Sequence, residues 1–319
     1  MTRFLVRRIA LGVLVLWVIS MLVFVMFFVA PQDVAHTIAG KNATPQTVAA
    51  VKRTLGLNLP IPTQYWHFLV RCLHGNLGQS YYTQVSVNSL IKSRLPATLS
   101  VMAGAAVIWM LLGVTNGVIS AIRPRTVADR SLTAFSLFFY SLPTFVLGLA
   151  MLNVFFYQLH THGLPNLPAS GYVPLTQDPY QWFLHMILPW VTLALLLAAT
   201  YTRLTRGSML DVLGEDYIRT ARAKGLSERR VVLRHGLRSA LTPIVTQFGI
   251  DLGTLVGNLV VTETVFGISG IGKLSIDSIT NGDLPVIIGV VLVASAAVVV
   301  MNIVVDIGYA VLDPRVRLN

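Results

Sequence analysis

One segment of the sequence has almost the spacing of a phosphate-binding loop. Gly267 is followed by four residues and then by Gly272-Lys273, but Leu274 occupies the next position. A nucleotide-binding loop of this kind needs Ser or Thr there to hold Mg²⁺, and it follows a buried strand. Here a long apolar run precedes the segment. We therefore expect a glycine-rich re-entrant turn or gate, and no nucleotide site in this chain.

Two histidines have the chemistry of metal ligands but lack sequence partners. His160 and His162 stand two positions apart, with no third ligand close by. Cys72 is the one cysteine, so a disulfide within the chain and a cysteine metal cluster are both excluded. The patterns Gly-x-Ser-x-Gly and His-Glu-x-x-His do not occur. We therefore expect the two histidines to lie at the rim of the protein. We expect neither a metal site nor a hydrolase.

Three carboxylates lie within or beside apolar runs, namely Asp251, Glu263 and Asp306. A charge at mid-bilayer costs about 2.5–3.5 kcal/mol on insertion scales, so such residues usually face a cavity or a partner. Asp251 is the candidate for a pathway or subunit-interface residue, and Glu263 is the candidate for a gate or a loop anchor. A satisfied hydrogen bond between helices is the alternative for each. Glycines that favour close helix approach accompany Asp251, at Gly249, Gly253 and Gly257.

The composition places these residues in a membrane protein. The 319 residues are 54% hydrophobic and 12% charged, with a mean hydropathy of +0.69. A soluble domain carries about 25% charged residues. The formal net charge is +11, but basic residues in a membrane protein usually report orientation rather than nucleic-acid binding. No nucleic-acid partner is expected.

Six apolar runs are long enough to cross a bilayer, which takes about 20 residues. The first run is too long for the core of a signal peptide, about 7–15 residues, so we interpret it as a retained span. The sequence therefore predicts an all-α membrane protein with about six transmembrane helices. The runs are Ile9–Ala30, Ala97–Ile122, Ser131–Leu159, Gln181–Thr202, Ser239–Thr262 and Leu284–Leu312.

The basic residues set the orientation of these spans. The loop 203–238 has nine Lys/Arg against four Asp/Glu, a net charge of +5, and three arginines each occur in the N-terminal segment and in the loop 123–130. The loop 160–183 has no Lys or Arg, and the loop 263–283 has only Lys273. By the positive-inside rule both termini are cytoplasmic.

We divide the chain into an N-terminal segment with the first span (1–30), a long extracytoplasmic loop (31–96) and a core of five spans (97–319). The loop 31–96 is basic, but loops beyond about 60 residues largely escape the orientation rule. Aromatic and apolar residues mix with polar ones between Tyr65 and Cys72, which indicates a short amphipathic helix. That helix would lie on the membrane or meet an external partner, and a spacer lid is the alternative.

The loop 203–238 has the features of a docking element. We predict a helix from Asp211 to Lys224, in which Glu215 and Arg219 have the favourable i,i+4 order. Gly225 can then take the left-handed conformation that ends a helix. Ser227 can cap a second helix, Glu228–Arg238. The loop would dock a partner protein, or it would bind anionic lipid headgroups.

Part of this loop resembles the EAA loop of ABC importer permeases. The family pattern is Glu-Ala-Ala, three residues, Gly, nine residues and Ile-x-Leu-Pro, and Ala221, Gly225 and Leu237 match it in register. Four positions depart from the pattern, namely Arg219, Thr220, His235 and Arg238. These departures are similar to the dipeptide/oligopeptide subfamily, whose version reads Arg-Thr-Ala-Arg-Ala-Lys-Gly.

The resemblance extends over nearly the whole chain through short segments in order. They are Leu55-Gly56-Leu57, Gly75-Asn76-Leu77-Gly78-Gln79-Ser80, Arg94-Leu95-Pro96-Ala97-Thr98-Leu99, Ser141-Leu142-Pro143-Thr144-Phe145, Thr262-Glu263-Thr264-Val265-Phe266 and Asp313-Pro314-Arg315. The resemblance implies a type I ABC importer permease fold in the bacterial inner membrane, and the first of two permease subunits.

The resemblance also implies a mechanism and a set of partners. The turn near Ala223–Leu226 would be the coupling helix, which sits in a cleft of an ATPase subunit. The ATPase-coupling residues would be Glu215, Arg219, Thr220, Ala221, Arg222, Ala223, Lys224, Gly225 and Leu226. The chain would do no chemistry and bind no cofactor, because ATP and Mg²⁺ would be bound by the partner ATPases.

The implied assembly holds two ATPase subunits, a second homologous permease and an extracytoplasmic substrate-binding protein, within membrane lipid. The implied substrates are di- or oligopeptides, and related permeases move nickel chelates, haem, glutathione or sugars. A different class is a secondary transporter or channel that works alone, with Asp251 as its ion-coupling residue. Six spans, the basic two-helix loop and no visible inverted repeat favour the permease.

Overall fold

The computed structural model describes residues 2–29, 44–54 and 58–312 of the chain. Over these residues the backbone is helical apart from turns and one antiparallel bridge between Gln79 and Ser86. The helices are α1 (Thr2–Phe24), α2 (Pro45–Thr54), α3 (Ile61–Leu73), α4 (Val87–Ile122), α5 (Val127–Tyr140), α6 (Thr144–Leu152), α7 (Pro179–Leu213), α8 (Asp216–Ala223), α9 (Leu237–Val265), α10 (Ile271–Asn281) and α11 (Leu284–Leu312).

Three π-helical turns extend these helices. The turn Val25–Val29 continues α1, the turn Asn153–Gln158 continues α6 as far as Leu159–Thr161, and the turn Val231–Gly236 leads from the short helix Glu228–Arg230 into α9. The second helix predicted in the basic loop is therefore the start of the fifth span.

The prediction of about six membrane spans is confirmed. Five helices are long and apolar enough to cross a bilayer, and the bent pair Glu228–Leu255 and Gly257–Val265, whose axes meet at 59°, makes a sixth when it is counted as one span. The segment predicted as one span over 131–159 is broken, because α5 ends at Tyr140 and α6 begins at Thr144. Pro143 has no N–H for a continuous helix and disfavours helical geometry at Leu142.

The helix predicted from Asp211 to Lys224 is also divided, and that prediction was wrong. The long helix α7 ends at Leu213, with Gly214 as its last cap, and α8 begins at Asp216. Glycine destabilises a helix interior by about 1 kcal/mol relative to alanine, so Gly214 favours an end at this position. The short α8 is consequently free to take its own direction.

Contacts among the described residues form two compact units, one within residues 1–95 and 274–303 and the other within residues 96–273 and 304–319. In the first unit, the predicted amphipathic helix is confirmed as α3. Its residue Phe68 is buried with Val23 and Phe24 of α1 and with Ile288 of α11. The hydroxyl groups of Tyr65 and Ser20 lie 2.9 Å apart, and Cys72 packs at the edge of the same cluster.

The outer loop of the first unit is tied to the start of α11 by one buried carboxylate. Asp283 accepts a hydrogen bond from the Ser80 hydroxyl and another, at 3.0 Å, from the Tyr81 backbone N–H. The side chains of Asp283 and Ser80 are buried. This contact fixes the turn before α4, in a loop of which residues 31–43 and 55–57 lie outside the described residues.

In the second unit α4 and α7 pack at very short range. A Cβ atom at Gly113 would lie 2.3 Å from the Tyr201 Cβ, and one at Gly117 would lie 2.7 Å from the Thr202 carbonyl oxygen. The Trp190 indole of α7 donates a hydrogen bond to the Ser100 carbonyl of α4 at 2.8 Å. Small residues allow backbones in a membrane to approach in this way, so α4 and α7 are in direct contact along this face.

Candidate functional site

The basic loop presents α8 on a small apolar base. Ile218 and Ala221 of α8 are buried against Val231, and Leu213 and Leu226 pack at the edge of this cluster. These buried positions are three residues apart, as expected for one face of a helix. The remaining predicted coupling residues of α8 and the following turn are exposed, namely Arg219, Thr220, Arg222, Ala223, Lys224 and Gly225.

The turn after α8 has the geometry that its glycine predicted. Gly225 has φ +76°, and its N–H bonds to the Arg222 carbonyl at 2.9 Å. The Leu226 N–H reaches back to the Ala221 carbonyl at 3.4 Å. A Cβ atom at Gly225 would meet nothing within 4 Å. The turn is therefore held by its backbone, and its outer side is open to a partner.

The charges of the loop pair differently from the predicted i,i+4 pattern. Arg219 lies 3.5 Å from Asp216 rather than pairing with Glu215, which stands at the cap position of α8. Arg222 binds both carboxylate oxygens of Glu228 across the turn, at 2.7 and 3.1 Å. The hydrogen bonds from Arg222 hold the pKa of the Glu228 carboxyl below its usual value. Exposed ion pairs of this kind contribute little to stability, so these pairs orient the turn rather than stabilise it.

Ser227 occupies the predicted cap position of the next helix, with extended backbone angles, but its side chain makes no capping hydrogen bond. The carbonyl of Ser227 accepts the N–H groups of Arg230 and Val231, at 2.8 and 3.0 Å. The chain therefore re-enters a helix at once after Gly225, and the coupling turn connects directly to the fifth span.

An ion pair between Arg206, at the start of this loop, and the buried carboxylate of Asp129 was not predicted from the sequence. Arg206 of α7 donates two hydrogen bonds to Asp129, from Nε at 2.7 Å and from Nη2 at 2.9 Å. The Arg125 backbone N–H donates to the same carboxylate at 2.8 Å. The Asp129 side chain is 6% exposed. The pair joins the loop 123–130 to α7 shortly before α8. The sequence signal for it is that Asp129 is the single acidic residue in this arginine-rich loop.

The Asp129 ion pair predicts a defined acid sensitivity. Hydrogen bonds from Arg206, and then from the Arg125 backbone, lower the pKa of Asp129 from 3.8 to about 2. Because the folded-state pKa is the lower one, the stabilisation is present above about pH 4 and is lost as the pH falls towards 2. We expect the difference in melting temperature between the wild type and Asp129→Asn to be constant from pH 5 to pH 8 and to narrow below pH 4. A difference that changes between pH 5 and pH 8 would contradict this assignment.

Asp251 lies among polar groups of two helices. The Tyr201 hydroxyl of α7 donates to its Oδ2 atom at 2.8 Å, and the Gln247 amide of α9 donates to its Oδ1 atom at 3.0 Å. Tyr201 is buried and Asp251 is half-buried. Close helix approach is confirmed at Gly249, where a Cβ atom would lie 2.0 Å from Val305, but not at Gly257, where it would meet nothing within 4 Å. The side chain of Asp306 lies outside the described residues.

Glu263 is fully buried at the end of α9 and holds the glycine-rich segment. It accepts a hydrogen bond from the Thr98 hydroxyl at 2.6 Å and from the Lys273 N–H at 3.0 Å. Thr98 in turn accepts the Ile271 N–H at 2.8 Å. A Cβ atom at Gly270 would lie 2.2 Å from the Glu263 carboxylate. The two side chains thus cap the first turn of α10.

The phosphate-loop-like spacing belongs to this capped turn. Gly267 has φ +59°, and the Phe266 carbonyl before it accepts the Gly171 N–H at 3.2 Å. A carboxylate therefore occupies the place next to the glycines where a nucleotide phosphate would need to lie. His160 and His162 lie on the exposed surface at the end of the third span.

The chain thus combines membrane spans that contain polar groups with a loop that presents an open helix. Residues 113–318 match the family model described as "Binding-protein-dependent transport system inner membrane component", and residues 1–102 match the model of its N-terminal part. The chain belongs to this family, the permease subunits of ABC importers, which are typically non-catalytic. It is a multi-pass inner-membrane protein.

Relatives in the family match the chain from end to end. The probable peptide ABC transporter permease protein y4tP of Sinorhizobium fredii is 40% identical over 314 residues, 98% of this chain and 99% of that one. The glutathione transport system permease protein GsiC of Escherichia coli K12 is 37% identical over 317 residues, 99% of each chain.

Solved structures share the fold. Two inward-facing crystal forms of the MetNI methionine ABC transporter match with TM-scores of 0.56 and 0.53, at 19% and 20% identity. Each match covers 70% of this chain and 96% of that one. The prediction of a type I ABC importer permease fold is confirmed.

Proposed function

We propose that this chain forms half of the translocation pathway of an ATP-driven importer for di- or oligopeptides. In this proposal two ATPase subunits bind ATP and Mg²⁺, a second homologous permease supplies the other half, and an extracytoplasmic protein delivers the substrate. The relatives support the substrate class, because one is named for peptides and another for glutathione, itself a tripeptide. The chain binds no cofactor of its own.

The observation that carries the coupling role is the open surface of α8 and its turn. A buried base of Ile218 and Ala221 fixes the element, and the opposite side is exposed and basic. A partner protein that binds this surface can therefore move α8 and its turn together as one rigid element. The Asp129–Arg206 ion pair connects the neighbouring α7 to the loop 123–130, so the motion reaches more than one span.

The observation that supports the pathway role is a polar face on α9. Polar side chains recur every three or four residues at exposed or half-exposed positions, namely Gln247, Asp251, Thr254 and Asn258. Lipid does not solvate such groups, so within a membrane they face a partner or a water-filled cavity. Asp251 is therefore a proposed pathway residue, and Glu263 is the proposed anchor of the gate-like turn at the outer end.

Substitution of Gly225 tests the coupling role. Gly225→Val forces a β-branched residue into left-handed geometry, at a cost of about 1–2 kcal/mol, and should distort the turn. We expect at least a tenfold loss of ATP-driven uptake in proteoliposomes, with normal insertion of the permease into the membrane. Because the turn is open, steric collision inside the chain is not the cause.

The matched control is Gly225→Asn, since asparagine tolerates left-handed geometry. This variant should retain most of the uptake and of the co-purification with the ATPase subunits. Normal uptake by Gly225→Val would disprove the coupling role of the turn. Uptake by the isolated chain without ATP would disprove the importer assignment and favour a secondary transporter.

A further inference from the structure

A cavity of about 660 Å³ lies between α5 and α7 in the second unit. Sites that hold a small molecule have volumes of about 300–1,000 Å³. The residues that line the cavity recur every three or four positions on each helix, so the cavity extends along both helix axes. They include Arg130, Ala134 and Leu137 of α5 and Ala199, Arg203 and Arg206 of α7.

One end of the cavity is charged, and the other is apolar and aromatic. Asp129 and Arg130 line it in the first turn of α5, and Tyr140 lines it about 15 Å further along that helix. Arg206 of α7 donates a hydrogen bond to Asp129 at 2.7 Å, which places Arg206 at the charged end. The two helices belong to successive spans and run in opposite directions, so Ala199, about 10 Å before Arg206, lies towards Tyr140. We call the charged part of the cavity the arginine end.

The arginine end lies at the level of the lipid headgroups on the cytoplasmic side. Arg130 directly precedes the apolar run that begins at Ser131, and Arg203 directly follows the run that ends at Thr202. By the positive-inside rule these positions are cytoplasmic. Long basic side chains at the end of a span extend to the membrane interface. The apolar end of the cavity consequently extends into the hydrocarbon layer.

The arginine end has an excess of positive charge. Arg206 is neutralised by Asp129 through two hydrogen bonds. Arg130 and Arg203 are exposed, and within the part of the chain that the structure describes neither side chain forms an ion pair or a hydrogen bond. Three arginines against one carboxylate give this end a net charge of +2. A guanidinium group binds phosphate oxygens in a bidentate geometry, so the end suits a phosphate group.

We propose that this cavity binds one anionic phospholipid of the cytoplasmic leaflet. Its phosphate would lie at the arginine end, and one acyl chain would lie along Ala134, Leu137 and Ala199. Basic pockets between spans on the cytoplasmic side are typical of anionic lipid recognition. The site is separate from the coupling turn and does not depend on which solute the protein transports.

Charge complementarity selects the class of lipid. A zwitterionic headgroup would add an ammonium group to a site that already has excess positive charge, so it is disfavoured. A small phosphate ester without an acyl chain would leave the apolar walls in contact with water, which disfavours it as well. An anionic phospholipid satisfies both ends of the cavity at once.

The test uses the full-length permease, in the complex with which it purifies, in phosphatidylcholine vesicles. A trace of phosphatidylglycerol or of phosphatidylcholine carries a diazirine in one acyl chain, and mass spectrometry of peptides maps the residues that it labels after illumination. One double variant, Arg130→Gln with Arg203→Gln, removes both free charges of the arginine end. The matched control, Arg123→Gln with Arg229→Gln, removes two exposed arginines that do not line the cavity.

In the wild type we expect phosphatidylglycerol to label the segment 134–140 and Ala199 at least about tenfold more than phosphatidylcholine does, since each arginine near the membrane surface contributes about 1 kcal/mol, or about fivefold. The double variant should bring this ratio close to one, and the control should keep it. If the double variant does not accumulate, Arg203→Gln alone should lower the ratio about fivefold.

A second variant tests the apolar half. Ala134→Trp places a large side chain at the apolar end and should reduce labelling of Ala199 by both lipids. Unchanged labelling in this variant would overturn the placement of the acyl chain.

Three outcomes would overturn the proposal as a whole. Equal labelling by the two lipids in the wild type would mean that the cavity does not select an anionic headgroup. An equal loss of the preference in the control variant would mean that the general charge of the surface attracts the lipid. Absence of lipid labelling from both walls would mean that another occupant, such as a helix of a partner subunit, fills the cavity.

Discussion

Glu263→Ala is expected to destabilise the outer end of the second unit by about 3 kcal/mol or more. The Thr98 hydroxyl and the Lys273 N–H would both lose their acceptor in a site that excludes water. Each buried donor left unsatisfied costs about 1–3 kcal/mol, and the vacated space adds to this. The measurement is the midpoint of thermal unfolding of the detergent-solubilised complex, which we expect to fall by several degrees.

Two further variants identify the cause of that loss. Glu263→Gln keeps an acceptor oxygen and the shape of the side chain, so it should lie between the wild type and the alanine variant. Thr264→Ala removes an exposed side chain next in sequence and should leave the midpoint unchanged. If Glu263→Ala unfolds at the wild-type temperature, the turn before α10 is held by other contacts.

Gly117→Val is expected to prevent the close packing of α4 on α7. The new Cβ atom would lie 2.5 Å from the Thr205 Cβ and 2.7 Å from the Thr202 carbonyl oxygen. A side chain can rotate away, but the carbonyl belongs to the backbone of α7 and cannot move alone. Overpacking of this kind costs about 1–3 kcal/mol and occasionally more. We expect most of the variant to be lost as aggregate when the detergent extract is separated by size.

The matched control is Gly207→Val, another glycine-to-valine change within the long helices of the same unit. A Cβ atom at Gly207 would meet nothing within 4 Å. Its monodisperse fraction should equal that of the wild type, which shows that valine itself is tolerated in these helices. Equal recovery of both variants would mean that α4 and α7 can separate without loss of the fold.

The spans and the turn at Gly225 could be predicted because their causes are local. A bilayer selects runs of about 20 apolar residues, and a left-handed residue after a helix selects glycine. The break before Thr144 follows from Pro143, which is visible in the sequence but was outweighed by the apolar character of the run. The end of α7 at Leu213 was likewise not predicted, because the order of the acidic and basic residues around it also fits a longer helix.

The side-chain partners could not be predicted, because they depend on how the helices rotate against each other. Arg206 and Asp129 are 77 residues apart, and Thr98 and Glu263 are 165 apart. A single sequence does not reveal which distant residues are in contact. Asp251 and Glu263 were identified as unusual from the energetics of charge in membranes, yet their hydrogen bonds required the packed α4, α7 and α9.

In the proposed coupling role, the helical segment from Glu228 to Leu255, which includes the π-helical turn Val231–Gly236, would act as a lever arm. Its 28 residues extend about 42 Å, and about 35 Å separates the coupling turn from Asp251. A pivot at the turn through about 5° would therefore carry Asp251 about 3 Å sideways, at this helix length. That displacement is similar to the 2.8 Å distance between the Tyr201 hydroxyl and Asp251, so in the proposed mechanism a small rotation of the coupling loop would break or remake this hydrogen bond.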